Sequence, residues 1–275
     1  MAGYLKNTLC VSPFATSLKI KSLPSNFHSM TYLDDYTSQI FIYFFEKEFK
    51  SKPIYSLVEL DCRSCKDLAD EVERNYHGAF RKNYFLKADI EDDDLEKLLT
   101  NYNGEDYIFL PDTAHSTAVL MIRLSNYLKK NLIFIGGDGW GTWGDSEVGR
   151  TSLKYPMKAF HITPWSLEIE TKRTTHFKKN YSKFYGKKPE NKLSFIIYET
   201  TNSLVESFLL IPSNCNQKLN TQEQIKCSYN SKLIHKPAWR KPDGYAVFKI
   251  ENNINQLFAV INKDVSYGSI FKKEN

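Results

Sequence analysis

Two aspartates follow neighbouring apolar runs, and a carboxylate can hold a cationic group through charge-assisted hydrogen bonds. Asp112 comes after the run Tyr107–Leu110, which Pro111 stops, and Asp138 lies in the sequence GGDGW after residues 132–135. One such hydrogen bond contributes about 1.5–3 kcal/mol. The two aspartates are therefore the first candidates for functional residues.

The segments around these aspartates have the pattern of one strand–helix–strand unit. The run at 107–110 is apolar without alternation, which is typical of a strand buried on both faces of a parallel sheet. An amphipathic helix is predicted over 114–130 and a second strand over 132–135. Open α/β sheets bind ligands at the carboxyl ends of their strands. We therefore expect Asp112, its neighbour Thr113 and Asp138 at one edge of a sheet.

Similar β-α units flank this one and predict an α/β fold with a mainly parallel sheet. Further strands are predicted over 8–11, 54–60, 83–88 and 157–163. Further helices are predicted over 34–49, 65–76, 92–100, 171–185 and 193–210. A hairpin is predicted from residue 244 onward, with its turn at 252–253.

Composition limits the classes of protein. The 275 residues are 41% hydrophobic and 14% aromatic, enough to fill a core. The net charge of +5 is scattered, whereas a nucleic-acid groove needs a clustered basic patch. No run approaches the roughly 20 apolar residues of a membrane span, and the start of the sequence lacks the pattern of a signal peptide. We expect neither nucleic-acid binding nor a membrane span.

The five cysteines leave two questions open. Cys215 and Cys227 lie close together in a polar segment, so we expect a disulfide between them in an oxidising compartment. Cys62 and Cys65 form a CxxC pair just after a predicted strand, a spacing found in redox and metal sites. A zinc site would need a second ligand pair, and the role of this pair stays open.

An enzyme is the first alternative class. Residues 136–139 could form a phosphate-cradling turn, yet a dinucleotide fingerprint opens directly into a helix, and here Trp140 and a loop follow. The six histidines show no Ser-His-Asp constellation. We therefore predict a protein that is not an enzyme and that needs neither a cofactor nor a metal.

The motifs and their order resemble those of the type I periplasmic solute-binding proteins, the leucine/isoleucine/valine-binding family. GGDGW at 136–140 is similar to a family loop that follows a strand, and SPFATS at 12–17 is similar to a loop of the first lobe. Three later segments resemble further family motifs: FYGKKP at 184–189, SFIIYETTNSLVESFLL at 194–210 and GYAVFKIENN at 244–253. The resemblance covers nearly all of the chain.

The resemblance implies roles for particular residues. Asp138 would hold a ligand's ammonium group, and Thr16 would bind its head group from the opposite wall of one cleft. Phe14 would contribute a backbone carbonyl and an apolar lid. Asp112 and Thr113 would line the rim of the second lobe.

One contact of the family is altered in this sequence. A tyrosine that contacts the ligand in relatives is replaced by the segment 62–65, in which Ser64 stands near the tyrosine's position. Ser64 is therefore a candidate ligand contact, and the resemblance implies a changed specificity.

The resemblance also implies a division into lobes. Residues 1–49 would be a remnant of lobe 1, and 50–165 would form lobe 2. Helices within 166–235 would return to lobe 1, and 236–275 would return to lobe 2. A full member has a longer segment before the SPFATS-like loop, so we expect one complete parallel-sheet lobe and an incomplete first lobe.

The function implied is solute binding in an ABC-type uptake system, with an amino acid or a related small polar molecule as ligand and a membrane permease as partner. The compartment would be the periplasm if the full-length form is exported. The second alternative is a non-binding remnant, or a sensory or interaction module, of the same fold.

Overall fold

The computed structural model describes residues 10–23, 27–86, 92–111, 114–140, 158–209, 242–251, 254–262 and 270–272. The chain forms two compact units. Unit 1 comprises Met1–Leu33 and Trp165–Asp243, and unit 2 comprises Asp34–Pro164 and Gly244–Asn275.

The strands, in chain order, are β1 (Cys10–Ser12), β2 (Phe27–Ser29), β3 (Ile54–Glu59), β4 (Phe80–Phe85), β5 (Tyr107–Leu110), β6 (Ile133–Gly136), β7 (Lys158–Thr163), β8 (Gly244–Glu251), β9 (Ile254–Asn262) and β10 (Ile270–Lys272). The helices are α1 (Asp34–Phe49), α2 (Arg63–Asn75), α3 (Asp92–Leu98), α4 (Ala114–Leu128), α5 (Lys172–Tyr185) and α6 (Lys192–Leu209). Short 3-10 helices span Leu18–Ser22 and Asp138–Trp140.

Unit 2 is built on an eight-stranded sheet in the order β10-β9-β8-β7-β6-β5-β3-β4. The pairs from β4 through β3, β5 and β6 to β7 are parallel, and β8, β9 and β10 are added antiparallel. Leu110 aligns with Gly136, and Gly136 aligns with His161. The carboxyl ends of β5 and β6 therefore meet at one edge, and the predicted α/β fold with a mainly parallel sheet is confirmed.

Both faces of this sheet are covered by apolar side chains, because alternate residues of a strand point to opposite faces. On one face, the ring of Phe41 in α1 lies 5.1 Å from that of Phe109 in β5. On the same face, the ring of Phe44 lies 5.4 Å from that of Phe160 in β7. On the other face, α3 and α4 join a buried cluster that includes Tyr55, Leu57, Leu95, Leu98, Ile108, Leu110, Leu120, Met121, Leu124, Phe134 and Trp140.

The placement of α1 differs from the lobe boundary expected from sequence. Residues 1–49 were expected together in lobe 1, whereas α1 belongs to unit 2. Its Thr37 hydroxyl lies 3.0 Å from the hydroxyl of Tyr245 in β8, and its phenylalanines pack on β5 and β7. The physical reason is the apolar run Ile40–Phe45, whose phenylalanine side chains are buried against the aromatic face of the larger sheet.

Unit 1 has a smaller described framework. β1 pairs in parallel with β2, with Cys10 opposite Phe27. α5 and α6 contribute to a core cluster of Trp165, Phe177, Phe195 and Ile196. Several large apolar side chains of these helices stay exposed, namely Phe184, Tyr185, Leu193, Ile197 and Val205.

The ends of α5 explain two sequence patterns. Thr171 caps its start, because its hydroxyl oxygen accepts a hydrogen bond from the Thr174 backbone amide. In turn, the hydroxyl oxygen of Thr174 accepts a hydrogen bond from the Thr171 backbone amide. Gly186 ends the helix with φ +70°, a left-handed conformation that favours glycine. The FYGKKP motif is thus a helix-stop signal in this chain.

Candidate functional site

The loops after β3, β5 and β6 emerge at the carboxyl edge of the parallel part of unit 2. A Cβ atom built on Gly137, after β6, would lie 3.9 Å from the carbonyl oxygen of Pro111, after β5. These two loops are therefore in contact range. Asp112 and Thr113 follow Pro111 directly and lie outside the described residues, so their placement stays a prediction.

The GGDGW sequence separates into a structural part and an exposed part. The Trp140 side chain is fully buried, and a Cβ atom on Gly136 would collide with its indole ring. Glycine is needed there for this close approach. The Trp140 amide donates to the Gly137 carbonyl over 3.2 Å, which closes the turn. Gly136 and Trp140 thus fix the turn that displays Asp138.

Asp138 begins this 3-10 turn and is exposed at the carboxyl edge of the sheet. The position agrees with the edge predicted from sequence. Asp138 also takes part in an interaction within the chain.

Ser64 lies in the first turn of α2, next to the carboxyl end of β3. It is exposed, and its Oγ lies 3.7 Å from Cys62 Sγ. Cys62 and Cys65 are joined by a disulfide, with their Cα atoms 5.2 Å apart. Because β3 pairs with β5 in the sheet, Ser64 belongs to the same edge as Pro111.

Thr16 and Phe14 belong to unit 1, in the loop after β1. Ser12 Oγ accepts from the Ala15 amide over 3.1 Å, and Ser29 Oγ donates to the Ala15 carbonyl over 2.6 Å. Phe14 is 48% exposed, whereas Thr16 is half-buried. Serine hydroxyls thus hold the SPFATS loop, and the ligand contacts predicted for Thr16 and Phe14 remain predictions.

A pocket of about 210 Å³ lies at the opposite, amino-terminal edge of the unit 2 sheet, where the sequence predicted nothing. Three of its four charged lining residues form ion pairs: Arg81 with Glu105, and Asp106 with Lys130 at 2.9 Å. Glu105 is a buried carboxylate paired with Arg81, whereas the Asp106–Lys130 pair is a more exposed ion pair beside the strand starts.

Cys215 and Cys227, the other cysteine pair singled out from sequence, lie outside the described residues. Over the ranges that are described, no group of three His, Cys, Asp or Glu side chains is placed to hold a metal ion. In those same ranges, no helix combines the length and apolarity needed to cross a membrane.

No family model matches the sequence, and no curated protein matches it significantly. Solved structures do match. The leucine-binding protein LivK of Thermotoga maritima superposes with a TM-score of 0.75 at 16% identity, covering 96% of this chain and 76% of that chain.

Two other solved structures resemble the chain to a similar extent. LivJ of Streptococcus pneumoniae, in complex with isoleucine, has a TM-score of 0.65 at 15% identity and covers 93% of this chain and 73% of that chain. An ABC-transporter solute-binding protein of R. palustris, in complex with benzoate, has a TM-score of 0.68 at 8% identity and covers 94% of this chain and 73% of that chain.

The chain therefore has the fold of the type I periplasmic solute-binding proteins, as the motif order predicted. Solved structures with this fold that resemble the chain include leucine-binding and branched-chain amino acid binding proteins. The chain spans about three-quarters of their length, so a quarter of each has no counterpart in this sequence.

Proposed function

We propose that this chain binds a small polar solute, with an amino acid or a related molecule as ligand, as the solute-binding component of an ABC-type uptake system. The observation that carries the proposal is the exposed Asp138 on the turn at the carboxyl edge of the parallel sheet. The shared fold with leucine- and isoleucine-binding proteins supports it. The membrane partner would be a permease, and the activity would be binding without catalysis.

In this proposal, Asp138 binds the ligand's ammonium group. Asp112, Thr113 and Ser64 would complete the rim on unit 2, since Ser64 lies next to the carboxyl end of β3 and the other two follow Pro111 in the sequence. In unit 1, the resemblance assigns the ligand's head group to Thr16 and Phe14.

The neighbours bind two chemical classes of ligand, amino acids and benzoates. An exposed carboxylate attracts an ammonium group and repels the anionic carboxylate of a benzoate. Asp138 therefore favours the amino acid class. The alternative, a sensory or interaction module without a ligand, would give no binding to either class.

Titration calorimetry with a panel of amino acids and benzoate tests the proposal. Loss of a charge-assisted hydrogen bond costs about 1.5–3 kcal/mol, so Asp138→Asn should weaken amino acid binding by roughly 10- to 150-fold. The matched control is Glu96→Gln, which removes the same charge from an exposed position on α3 and should leave affinity unchanged.

The outcomes separate the candidate functions. Equal affinity in wild type and Asp138→Asn would remove Asp138 from the site. Binding of benzoate alone would contradict the amino acid class. A full panel without binding would contradict the proposed function and favour the non-binding module.

A further inference from the structure

The Cys62–Cys65 pair has the arrangement of a reactive disulfide. Both cysteines lie at the start of α2, a helix of 13 residues, with Cys62 as its N-cap. Cys62 Sγ accepts a hydrogen bond from the Cys65 amide over 3.3 Å. Cys62 is half-buried, whereas Cys65 is only 5% exposed. One sulfur is therefore open to attack while the other is shielded.

The start of a helix favours a negative charge on sulfur. Unpaired amide N–H groups and the helix dipole stabilise a thiolate there, which makes the cysteine a better leaving group and a better nucleophile. The neighbouring charges are mixed: Arg63 pairs with Asp67 over 3.1 Å, and Lys66 lies over the ring of Tyr84 at 5.9 Å. The helix start is thus the consistent source of thiolate stabilisation at Cys62.

A cross-link of this kind adds little to the fold. The disulfide joins residues three apart within one helical turn. Stabilisation by a disulfide grows with the length of the loop that it closes, so a bridge within one turn constrains the unfolded chain only weakly. Its position and exposure fit reactivity better than they fit a structural role.

We propose that the Cys62–Cys65 disulfide is a thiol–disulfide exchange site that reacts with small thiols, and that its redox state adjusts the ligand-binding edge of unit 2. The effect on the ligand-binding edge rests on the proposed function. Ser64 connects the disulfide to that edge, because it lies between the two cysteines in sequence and its Oγ is 3.7 Å from Cys62 Sγ.

The reaction balances with two molecules of thiol. The thiolate of the first attacks Cys62 Sγ, the Cys62–Cys65 bond breaks, and the electron pair leaves with Cys65, which takes up a proton. The thiolate of the second attacks the external sulfur of this mixed disulfide, and Cys62 leaves as a thiolate. Two thiols are oxidised to one external disulfide, and the protein disulfide is reduced to two thiols.

Variants that each replace one cysteine of the pair test the exchange. Cys65→Ala leaves the more exposed sulfur, and Cys62→Ala, the matched control, leaves the buried one. After native incubation with oxidised glutathione, intact mass and peptide mapping report mixed disulfides separately at each cysteine. We expect Cys62 to react about tenfold faster or more than Cys65 does. Equal rates at the two cysteines would overturn the proposal.

The wild type provides a test that does not depend on the folding of a variant. Native wild-type protein is treated with reduced glutathione or with dithiothreitol, and newly formed thiols are alkylated and mapped. We expect Cys62 and Cys65 to become alkylated without unfolding. Reduction only in denaturing urea would identify a protected structural bridge and would overturn the proposal.

The coupling to ligand binding is measured separately, with L-leucine as the probe. Oxidised and reduced wild type are compared by calorimetry, and we expect dissociation constants that differ by about fivefold or more. Identical constants would overturn the coupling and leave the exchange site standing. No leucine binding in either state, together with rapid exchange, would count against the proposed amino acid ligand and the coupling, and not against the exchange chemistry.

Discussion

The two units bury their apolar side chains to different degrees. In unit 2 the sheet carries aromatic and aliphatic side chains on both faces, and Phe41, Phe44, Phe45 and Phe109 are all fully buried. In unit 1 the described core cluster consists of four residues, and α6 leaves Leu193, Ile197 and Val205 about half exposed. Residues four and eight apart lie on one helix face, so these side chains form a stripe.

The difference shows that amphipathic patterning and burial are separate matters. α1 and α6 are both rich in apolar residues. α1 packs against the aromatic face of an eight-stranded sheet, whereas unit 1, which contains α6, has a two-stranded sheet among its described residues. Burying an apolar side chain contributes about 1.5–3 kcal/mol. We therefore expect the stability of the chain to reside mainly in unit 2.

The largest expected effect comes from the aromatic face of unit 2. Phe109→Ala removes a ring that packs on Phe41 and Phe45 at 5.1 and 5.6 Å, and it should cost about 3–5 kcal/mol of unfolding free energy. The equivalent change in unit 1, Phe195→Ala, should cost less, because a small cluster beside solvent can relax around the missing ring.

Urea unfolding, followed by probes assigned to each unit, measures the change in unfolding free energy for Phe109→Ala and Phe195→Ala. Ile197→Ala, two residues along α6 and 57% exposed, is the matched control for Phe195 and should change the free energy by about 0.5 kcal/mol or less. A larger loss for Phe195→Ala than for Phe109→Ala would reverse the comparison of the two units.

A smaller effect is expected at the turn that carries Asp138. Gly136→Ala forces a Cβ atom into the Trp140 ring and should destabilise unit 2 by about 1–3 kcal/mol. Gly137→Ala is the matched control, because its Cβ would meet only the Pro111 oxygen at 3.9 Å. Thermal unfolding measures both variants. If the two alanines cost the same, Trp140 does not impose the glycine.

Much of unit 2 could be predicted from sequence, because strands buried on both faces appear as unbroken apolar runs. The strand Tyr107–Leu110 and the helix Asp34–Phe49 have the predicted bounds. β4 was harder to place. It begins at Phe80, whereas the sequence predicted a start at residue 83. The prediction missed the first residues because β4 is the edge strand of the sheet and carries Arg81 and Lys82, whose charges hide the strand pattern.

Features that depend on tertiary contacts could not be predicted. An amphipathic helix does not specify which sheet it will cover, so α1 could not be assigned to unit 2 from its residues alone. The GGDGW motif indicated Asp138, but the need for glycine at 136 comes from the buried Trp140 ring. The bond between Cys62 and Cys65 depends on the fold of the first turn of α2.

The smallest expected effect concerns the response of unit 2 to alkaline pH. Burial raises the pKa of Tyr55 to about 12, and burial also raises that of Tyr76 to about 12. An unfolded tyrosine has a pKa of about 10. Between these values the unfolded chain loses protons that the folded chain keeps, so stability falls as pH rises from about 10 to about 12.

Removing one of these hydroxyls should reduce the loss of unfolding free energy as pH rises. Tyr55→Phe deletes the hydrogen bond that Tyr55 donates to the Leu98 carbonyl, which costs about 1 kcal/mol at neutral pH. Because phenylalanine has no proton to lose, the variant should then lose less stability than wild type between about pH 9 and pH 11. Tyr127→Phe, at a 45% exposed position on α4, should keep the wild-type slope. Urea unfolding at the two pH values gives the slopes, and parallel slopes for Tyr55→Phe and wild type would show that Tyr55 ionises as readily in the folded chain as in the unfolded one.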